Sequence, residues 1–453
     1  MKTKIACTLG PSLSTVEDIA KAIIHGCRIF RINFSHGNPQ LWNTLAANAR
    51  EAAEKTGQNI VLMGDLKGGS VRITGLETSI DLDVGEKIRF SLNGPVTLPS
   101  PEFFKTVDVG DIIVFDDGRG ILKVTAHEGR SITVEAARPT SISPNKSIVI
   151  RGKEVETPDY FGLCREGLET AAEMNLDYVG LSFVKTAEDI KSIKQFLETR
   201  SPQIGIIAKI ETPSAVKNVV EISEESDAVL IARGDLGMHF PLELVPRLQK
   251  TIIEAAYNAC KPVIVATQLL GTMVNEPVPT RSEIVDVMSC VEDGVDVLML
   301  TAETAVGRYP LESIQWLARI AETYEKGTTP RRTLPSDADT VDKFALEVVN
   351  LAESLAAKIA IFTMQGNMAR RIARFKPVSG TIAATPNKHV IPRLQIMWGV
   401  IPLIVEAQTY TEGLEKLEQK LEETGLAEPG DTYVLTYGLV KEPQHIVKMK
   451  RYQ

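Results

Sequence analysis

The chain has 453 residues, of which 43% are hydrophobic and 24% are charged, a balance typical of a globular protein with two or three domains. Its formal net charge of −8 and the lack of a basic tract in the sequence argue against a nucleic-acid partner. The five cysteines are scattered, and no apolar run approaches the roughly 20 residues of a membrane span. We therefore expect unpaired thiols, a cytoplasmic location and no membrane contact.

Eight short β-rich segments alternate with stretches of helical periodicity. The segments are residues 4–9, 28–34, 59–65, 177–183, 204–210, 227–232, 262–267 and 296–301. Ser14 and Thr186 are candidate caps of two of the intervening helices. Eight strand–helix units in this order predict an α/β fold of the (β/α)8 TIM-barrel type, with a doubly wound open sheet as the alternative. The barrel would comprise residues 1–72 and 155–330.

Two further segments depart from the barrel pattern. Residues 73–154 alternate polar and apolar side chains between glycine-rich turns without a helical period, which predicts a small inserted β-barrel domain. A domain in that loop would stand at the mouth of the barrel as a lid. After a polar, proline-containing linker at 326–340, residues 340–453 predict a C-terminal α/β domain of regulatory type with a mostly parallel sheet.

Polar side chains follow the predicted barrel strands where each strand ends. Lys209 and Glu211 stand two positions apart at the end of an apolar strand, so both side chains point to the same side. Such a pair is either a structural ion pair or part of a ligand site. The strand-end positions taken together favour a ligand site, because the carboxyl ends of barrel strands face the active site. The other candidates at these ends include Arg31, Asn33, Ser35, His36, Asp65, Gly234, Asp235 and Thr267.

The residue types at these strand ends fit one chemical task. Glu211 and Asp235 are hard oxygen ligands suited to Mg²⁺, which keeps waters and needs substrate oxygens. Lys209 and Arg31 place positive charge where a phosphoryl group or an enolate needs it. The Thr267 hydroxyl can bind an anion or a proton-relaying water. The residues alone therefore predict a Mg²⁺ site for a small phosphorylated carboxylate.

Seven motifs, in order and at fitting spacing, resemble those of the pyruvate kinase family. They are "TKIACTLGPS", "RINFSHG", "IIAKIE", "ARGDLG", "ATQLLGTM", "PTRSEIVDV" and "TAETAVGRYP". The resemblance implies Mg²⁺-dependent phosphoryl transfer from phosphoenolpyruvate to ADP, giving pyruvate and ATP, the last step of glycolysis. Mn²⁺ is a possible substitute for Mg²⁺. The family is commonly homotetrameric, which gives the expected oligomeric state.

The resemblance also implies roles for individual residues. The phosphoryl group and the enolate oxygen would be stabilised by Lys209, and the phosphate would be clamped by Arg31. The substrate carboxylate would be held by Gly234, Asp235 and Thr267, and Thr267 would also lie on a proton path to the enolate carbon. The implied ligands of Mg²⁺ are Glu211 and Asp235, and the implied neighbours of the nucleotide phosphates are Asn33, His36 and Arg72.

The segment after the third strand departs from the family pattern. It reads "DLKGGSVR" at 65–72, where the family has D-T-K-G-P-E-I-R. Asn33, Ser35 and Asp65 keep three positions of the family's K⁺ site, but Leu66 and Ser70 replace a threonine and a glutamate. Losing a carboxylate weakens the attraction of a monovalent cation, so we expect a vestigial site and activity without K⁺.

Two other positions depart from the pattern. Asp159 stands near the place of a lysine that contacts a nucleotide phosphate in many members, and Lys153 and Arg151 are candidate substitutes. The effector loop of many members corresponds to "TMQGNMARR" at 363–371, where a phosphorylated metabolite would bind at a helix N-terminus. A plain strand–helix turn is the equal alternative there. The loop candidates are Thr363, Gln365, Gly366 and Asn367.

Two other functions share part of this residue set. A Mg²⁺-dependent barrel lyase or aldolase acting on a pyruvate enolate would need Glu211 and Asp235 but not Arg72, the lid or the C-terminal domain. A metabolite sensor without catalysis would not need Lys209, Arg31 and Thr267 together. Consumption of ADP separates the kinase from both alternatives.

Overall fold

The computed structural model describes residues 1–116, 118–326, 333–438 and 445–453. Residues 327–332, in the middle of the predicted linker, lie outside this part of the chain. The first elements are β1 (Lys4–Thr8), α1 (Val16–Ile24), β2 (Cys27–Asn33), α2 (Pro39–Thr56) and β3 (Val61–Asp65). The cap of α1 is Thr15, whose side chain accepts a hydrogen bond from the Asp18 amide at 3.2 Å. The prediction of Ser14 as that cap is wrong by one residue.

The inserted segment is mainly β structure. Its elements are β4 (Val71–Arg72), β5 (Ile80–Leu82), β6 (Lys87–Ser91), α3 (Pro101–Thr106), β7 (Ile112–Phe115), β8 (Gly120–His127), β9 (Ser131–Ala136), β10 (Thr140–Ile142) and β11 (Ser147–Ile150). Six strands form one sheet in the order β4-β11-β7-β8-β9-β6, and β5 pairs with β10. The described strands therefore form a half-barrel rather than a closed one. Helix α3 was not predicted, because a six-residue helix capped by Ser100 is too short to reveal a helical period.

The chain then returns to the barrel for its remaining five strands. The strands are β12 (Tyr178–Leu181), β13 (Gly205–Ile210), β14 (Ala228–Ala232), β15 (Val263–Ala266) and β16 (Val297–Leu300). The helices are α4 (Tyr160–Glu173), α5 (Ala187–Arg200), α6 (Pro213–Lys217), α7 (Val219–Glu225), α8 (Arg233–His239), α9 (Val245–Asn258), α10 (Arg281–Glu292), α11 (Ala302–Ala305) and α12 (Pro310–Glu325), with 3₁₀ turns at Leu242–Leu244 and Gly271–Val274.

Eight parallel strands close the barrel, which confirms the predicted fold. The order is β1-β16-β15-β14-β13-β12-β3-β2. Most of these strands are the apolar runs expected when both faces are buried, although β2 also carries Arg28 and Arg31. Thr186 caps α5, as predicted, and it forms a capping box with Asp189. The inserted domain packs on α8 through Met238, which contacts Val114 and Val149. Because α8 follows β14 directly, this contact places the inserted domain at the carboxyl ends of the strands.

The C-terminal domain contains a five-stranded sheet. Its elements are α13 (Thr340–Ser354), β17 (Lys358–Phe362), α14 (Asn367–Arg374), β18 (Thr381–Thr385), a 3₁₀ turn at Lys388–Val390, α15 (Ile391–Gln395), β19 (Val400–Ile404), α16 (Tyr410–Glu423), β20 (Thr432–Tyr437) and β21 (Val447–Arg451). The strand order is β19-β18-β17-β20-β21, with only β21 antiparallel to its neighbour. This arrangement confirms the predicted, mostly parallel sheet.

The C-terminal domain covers the base of the barrel. Ile396 packs among inward-facing barrel residues, and Lys4 donates a hydrogen bond to the Val400 carbonyl at 2.7 Å. Asp296, just before β16, accepts from Lys376 Nζ at 2.6 Å and from the Trp398 amide at 3.1 Å. The five cysteines are free thiols, as expected. Within the described residues, no helix combines the length and the apolar character that a membrane crossing requires.

Candidate active site

The pair on β13 faces a cleft at the carboxyl ends of the strands. Lys209 Nζ lies 3.2 Å from Asp65 Oδ1 and 3.5 Å from Glu211 Oε2, although the Lys209 side chain is only 12% exposed. Burial opposes the charge of this lysine, but the carboxylates of Asp65, Glu211 and Asp235 outweigh burial and raise the pKa of Lys209. The ammonium group is therefore held charged at the wall of the cleft.

Asp65, at the end of β3, connects two cations. Its Oδ2 accepts from Arg31 Nε at 2.7 Å, and Arg31 Nη1 also donates to Thr8 Oγ1 at 3.0 Å. Burial alone would raise the pKa of Asp65, but the charges of Lys209 and Arg31 outweigh burial and hold that pKa below its ordinary value. Asp65 is therefore ionised and fixes the positions of both cations.

Ser182 completes this network and was not predicted from the sequence. It directly follows β12, and its buried Oγ accepts from Lys209 Nζ at 2.6 Å and donates to Asp65 Oδ1 at 3.2 Å. The rule that identified the other residues, a polar side chain at the end of a barrel strand, also applies to Ser182. Its residue type gives no further indication, because a single serine after an apolar strand is common in any fold.

Glu211 is fully buried and only partly satisfied. Its Oε1 accepts from the Phe183 amide at 2.6 Å, but Oε2 has no hydrogen-bond partner within the described residues. Burial is the main cause that raises the pKa of Glu211, to about 8; Asp235 adds to the shift and Lys209 opposes it. A buried carboxylate oxygen without a hydrogen bond, beside a second acid lining the same cleft, suits a divalent cation.

The donor set fits an ion that keeps part of its water shell. No cluster of three or more His, Cys, Asp and Glu side chains arranged to hold a metal occurs in the described part of the chain. The pair Glu211 and Asp235 supplies two hard oxygens, which matches Mg²⁺ better than zinc. Further ligands would then come from water and substrate.

Thr267 occupies a strained position after β15. Its φ is +69° and that of Gln268 is +56°, unfavourable for residues other than glycine, particularly for a β-branched one. Arg233 stabilises this turn, because it donates to the carbonyls of both residues at 3.0 Å and pairs with Asp286 at 2.7 Å. Thr267 Oγ1 accepts from the Gly234 amide at 2.8 Å, so the hydroxyl hydrogen remains for another partner.

This contact changes the expectation for Gly234. We expected its amide to face a substrate carboxylate, but in the structure the amide donates to Thr267. Thr267 is thereby joined to the first turn of α8, which carries Asp235 into the cleft. The three residues therefore lie together, and the Thr267 hydroxyl is the donor available to a substrate.

Two of the predicted nucleotide residues, Asn33 and Arg72, line this cleft, and His36 lies next to Asn33. Burial, followed by the charges of Arg72 and Arg31, lowers the pKa of His36, so the ring is neutral near pH 7. Asn33 Nδ2 lies 3.1 Å from His36 Nδ1. Arg72, on β4, donates to the Asn145 carbonyl at 3.1 Å. Because β4 pairs with β11, Arg72 connects the cleft to the inserted domain.

Three of the four residues of the vestigial cation site line the same cleft. Asn33, Ser35 and Asp65 are part of its wall, together with Ser70. The Leu66 side chain instead packs in the hydrophobic core and is 2% exposed. Neither Leu66 nor Ser70 provides a carboxylate.

The Lys153 side chain contacts acids within the inserted domain. Its Nζ lies 2.7 Å from both Asp108 Oδ2 and Asp111 Oδ2. Hydrogen bonds to Asp108 and Asp111 raise the pKa of Lys153. Asp159 caps α4 by accepting from the Gly162 amide at 2.7 Å. Both residues therefore have structural partners in this conformation.

The predicted effector loop forms a tight turn between β17 and α14. Thr363 is 5% exposed, and its Oγ1 accepts from the Gly366 amide at 2.9 Å. Gly366 has φ +84° and precedes α14 without a side-chain cap. Gln365 and Asn367 are exposed on the turn. The Thr363 hydroxyl thus closes the turn.

The fold combines a barrel with a lid and a C-terminal domain. One cleft of the barrel carries an ammonium group, a guanidinium group and two acids. This combination is typical of enzymes that act on small phosphorylated anions. "Pyruvate kinase, barrel domain" matches residues 1–314, and "Pyruvate kinase, alpha/beta domain" matches residues 342–446. The chain belongs to the pyruvate kinase family and is a phosphotransferase.

Relatives and a solved structure agree with this assignment. Pyruvate kinase of Aeropyrum pernix is 37% identical over 95% of this chain and 94% of its own length. Pyruvate kinase of Pyrobaculum aerophilum is 36% identical over 99% of this chain and 96% of its own length. The crystal structure of pyruvate kinase from Pyrobaculum aerophilum superposes with a TM-score of 0.88 over 99% of both chains, at 35% identity.

Proposed function

We propose that this enzyme transfers the phosphoryl group of phosphoenolpyruvate to ADP, giving pyruvate and ATP. The bond between phosphorus and the enol oxygen breaks, a bond to a β-phosphate oxygen of ADP forms, and the enolate takes a proton at its methylene carbon. One observation carries the proposal: a buried, charged Lys209 stands between the Arg31–Asp65 pair and the acids Glu211 and Asp235 at one cleft.

In this proposal the protein positions and neutralises charge. Arg31 clamps the phosphate, while Asp65 fixes the orientation of its guanidinium group. Lys209 stabilises the phosphoryl group in flight and then the enolate oxygen. The Thr267 hydroxyl binds the substrate carboxylate and passes a proton through water to the enolate carbon. Such transfer needs charge neutralisation and positioning more than covalent help from the protein.

Glu211 and Asp235 are the proposed ligands of Mg²⁺, with Mn²⁺ as an alternative ion. The support is the buried Glu211 Oε2 without a hydrogen bond, in a cleft that a second acid, Asp235, also lines. When bound, the ion supplies positive charge to substrate oxygens. The Phe183 amide holds the other oxygen of Glu211 and so fixes the carboxylate for this task.

The nucleotide would bind on the lid side, beside Asn33, His36 and Arg72. Arg72 offers a cation to the nucleotide phosphates, and its contact with the Asn145 carbonyl ties that cation to the inserted domain. We also propose that activity does not require K⁺, because Leu66 packs in the core and Ser70 adds no charge to the vestigial site.

The remaining assignments rest on the resemblance to the family. A homotetramer is the proposed assembly, and light scattering on the purified protein measures it. The cytoplasm is the proposed location, supported by five unpaired thiols. A phosphorylated effector at the 363–367 turn is a further proposal, and a flat rate against a panel of sugar phosphates and phosphoglycerates would remove it.

A coupled assay tests the proposed reaction. Phosphoenolpyruvate, ADP and Mg²⁺ together should give pyruvate and ATP in equal amounts. A lyase or aldolase would form or use pyruvate without consuming ADP, and a sensor would form no ATP. Either result would reject the kinase assignment for this chain.

A further inference from the structure

One hydroxyl group of the inserted domain lines the active-site cleft without a hydrogen-bond partner. Ser147, the first residue of β11, forms part of the cleft wall together with Ser70 and Arg72. The Oγ atom of Ser147 is buried and makes no hydrogen bond within the described residues. Folded proteins pair nearly all buried hydroxyl groups, because an unpaired one is costly. The Ser147 hydroxyl therefore requires a partner that enters the cleft.

The neighbours of Ser147 add a positive charge and a second hydroxyl group. Ser147 stands directly opposite Arg72 in the antiparallel pair of β11 and β4, so both side chains point to the same face of the sheet. Arg72 Nε donates to Ser70 Oγ at 3.2 Å, which leaves the hydroxyl hydrogen of Ser70 for another acceptor. One guanidinium group and two hydroxyl groups therefore line the same part of the cleft.

The charge of Arg72 is not balanced by an acid, in contrast to the other cations of the cleft. Arg31 donates to Asp65 at 2.7 Å, and Lys209 lies 3.2 Å from the same carboxylate. The partners of Arg72 in the described part of the chain are the Ser70 hydroxyl and the Asn145 carbonyl, which carry no negative charge. An anion in this cleft would therefore find an open guanidinium group beside the two serines.

We propose that Ser147 and Ser70 are substrate-binding residues, whose hydroxyl groups donate to the terminal phosphate of ADP beside Arg72. This inference rests on the proposed function and adds two contacts to it. Hydroxyl groups that donate to phosphate oxygens make charge-assisted hydrogen bonds, and a guanidinium group can bind two phosphate oxygens at once. The two serines would replace the lysine contact that the chain lacks at Asp159, since Lys153 is paired with acids of the inserted domain.

The position of the serines favours the nucleotide phosphate over the phosphate of phosphoenolpyruvate. The groups proposed to bind the latter, Arg31 and Lys209, belong to the barrel strands β2 and β13, whereas Ser147 and Arg72 belong to β11 and β4 of the inserted domain. In phosphoryl transfer, the leaving oxygen and the attacking oxygen lie roughly in line on opposite sides of the phosphorus atom. The inserted-domain wall of the cleft therefore suits the acceptor phosphate.

Calorimetric titration of Ser147→Ala with ADP at fixed Mg²⁺ tests this contact. Loss of one hydrogen bond to a charged phosphate should weaken ADP binding at least about tenfold and raise KM for ADP by a similar factor. KM for phosphoenolpyruvate should stay within about twofold of the wild type. Adenosine, which lacks phosphates, should bind the wild type and the variant equally. The matched control is Ser131→Ala, because Ser131 is a buried serine of the inserted domain whose Oγ accepts from Arg89 at 2.8 Å.

Thermal unfolding without ligand provides a second readout. Ser147→Ala should be at least as stable as the wild type, because it removes a buried hydroxyl group that has no partner, whereas Ser131→Ala should be less stable because it loses a hydrogen bond. A lower melting temperature for Ser147→Ala than for Ser131→Ala would overturn the proposal.

Three binding results would also overturn the proposal. They are an ADP affinity of Ser147→Ala within about twofold of the control, a rise confined to KM for phosphoenolpyruvate, and an equal loss of affinity for adenosine. The proposed reaction can fail separately. A wild type that binds ADP through Ser147 but forms no ATP would reject the kinase reaction and keep this contact.

Discussion

Ser182→Ala is the most informative single change at the active site. The substitution removes the Oγ that accepts from Lys209 Nζ at 2.6 Å and donates to Asp65 Oδ1 at 3.2 Å. Hydrogen bonds to charged groups contribute about 1.5–3 kcal/mol, which corresponds to a loss of about 10- to 150-fold if the bond acts in the transition state. Lys209 would keep Asp65 and Glu211 as ion partners, so it stays charged but loses its orientation.

We therefore expect Ser182→Ala to lower kcat within that range while KM for phosphoenolpyruvate changes little. Steady-state kinetics with ADP held saturating measures both constants. Ser223→Ala is the matched control, because Ser223 is also buried but its Oγ donates to the Val219 carbonyl in α7, away from the cleft. If Ser182→Ala kept kcat within about twofold of the control, the positioning role of Ser182 would be wrong.

Three further predictions follow from the structure. In the metal-free protein, burial raises the pKa of Glu211 from an ordinary 4.5 to about 8, so the folded state binds this proton more tightly than the unfolded chain. The protein should therefore lose stability as pH rises from 4.5 to about 8, and Mg²⁺ should restore the stability at high pH. Thermal melts of Glu211→Gln should show a flatter pH dependence and no stabilisation by Mg²⁺. A variant that keeps both the pH dependence and the Mg²⁺ effect would contradict the assignment of Glu211 as a metal ligand. Replacing K⁺ by Na⁺ or tetramethylammonium should leave kcat within about twofold, because the vestigial site lacks the carboxylate that would attract the ion, and a collapse of turnover would refute this. Thr15→Ala should destabilise the protein by about 1 kcal/mol through loss of the α1 cap, whereas Ser14→Ala should not, and urea unfolding distinguishes the two.

The fold was predictable because its signal repeats. Eight apolar runs separated by helical periodicity admit few architectures, and the mostly parallel C-terminal sheet follows from the same pattern. What the sequence did not reveal depends on single contacts. Helix α3 has only six residues, too few for a periodic pattern. Ser14 and Thr15 are neighbouring hydroxyl residues that can both cap a helix, and the backbone geometry decides that Thr15 is the cap of α1.

The candidate site was predictable where polar side chains stand at the carboxyl ends of the barrel strands. Lys209, Glu211, Asp65 and Arg31 converge as expected, because parallel strands bring their carboxyl ends to one edge. Ser182 and the diversion of the Gly234 amide to Thr267 could not be read from residue types. Both depend on which donor lies within about 3 Å of which acceptor, and only the folded chain defines that distance.

The central claim is that the Lys209 ammonium group stabilises charge that develops during phosphoryl transfer. The test is the turnover of Lys209→Met with phosphoenolpyruvate, ADP and Mg²⁺, together with a measurement of phosphoenolpyruvate binding by the same variant. The control is Lys191→Met, which changes an exposed lysine on α5. Removing one such stabilising group costs about 10²- to 10³-fold in kcat, so turnover should fall by at least that factor while substrate binding persists. Turnover of Lys209→Met within about tenfold of the control would contradict the mechanism.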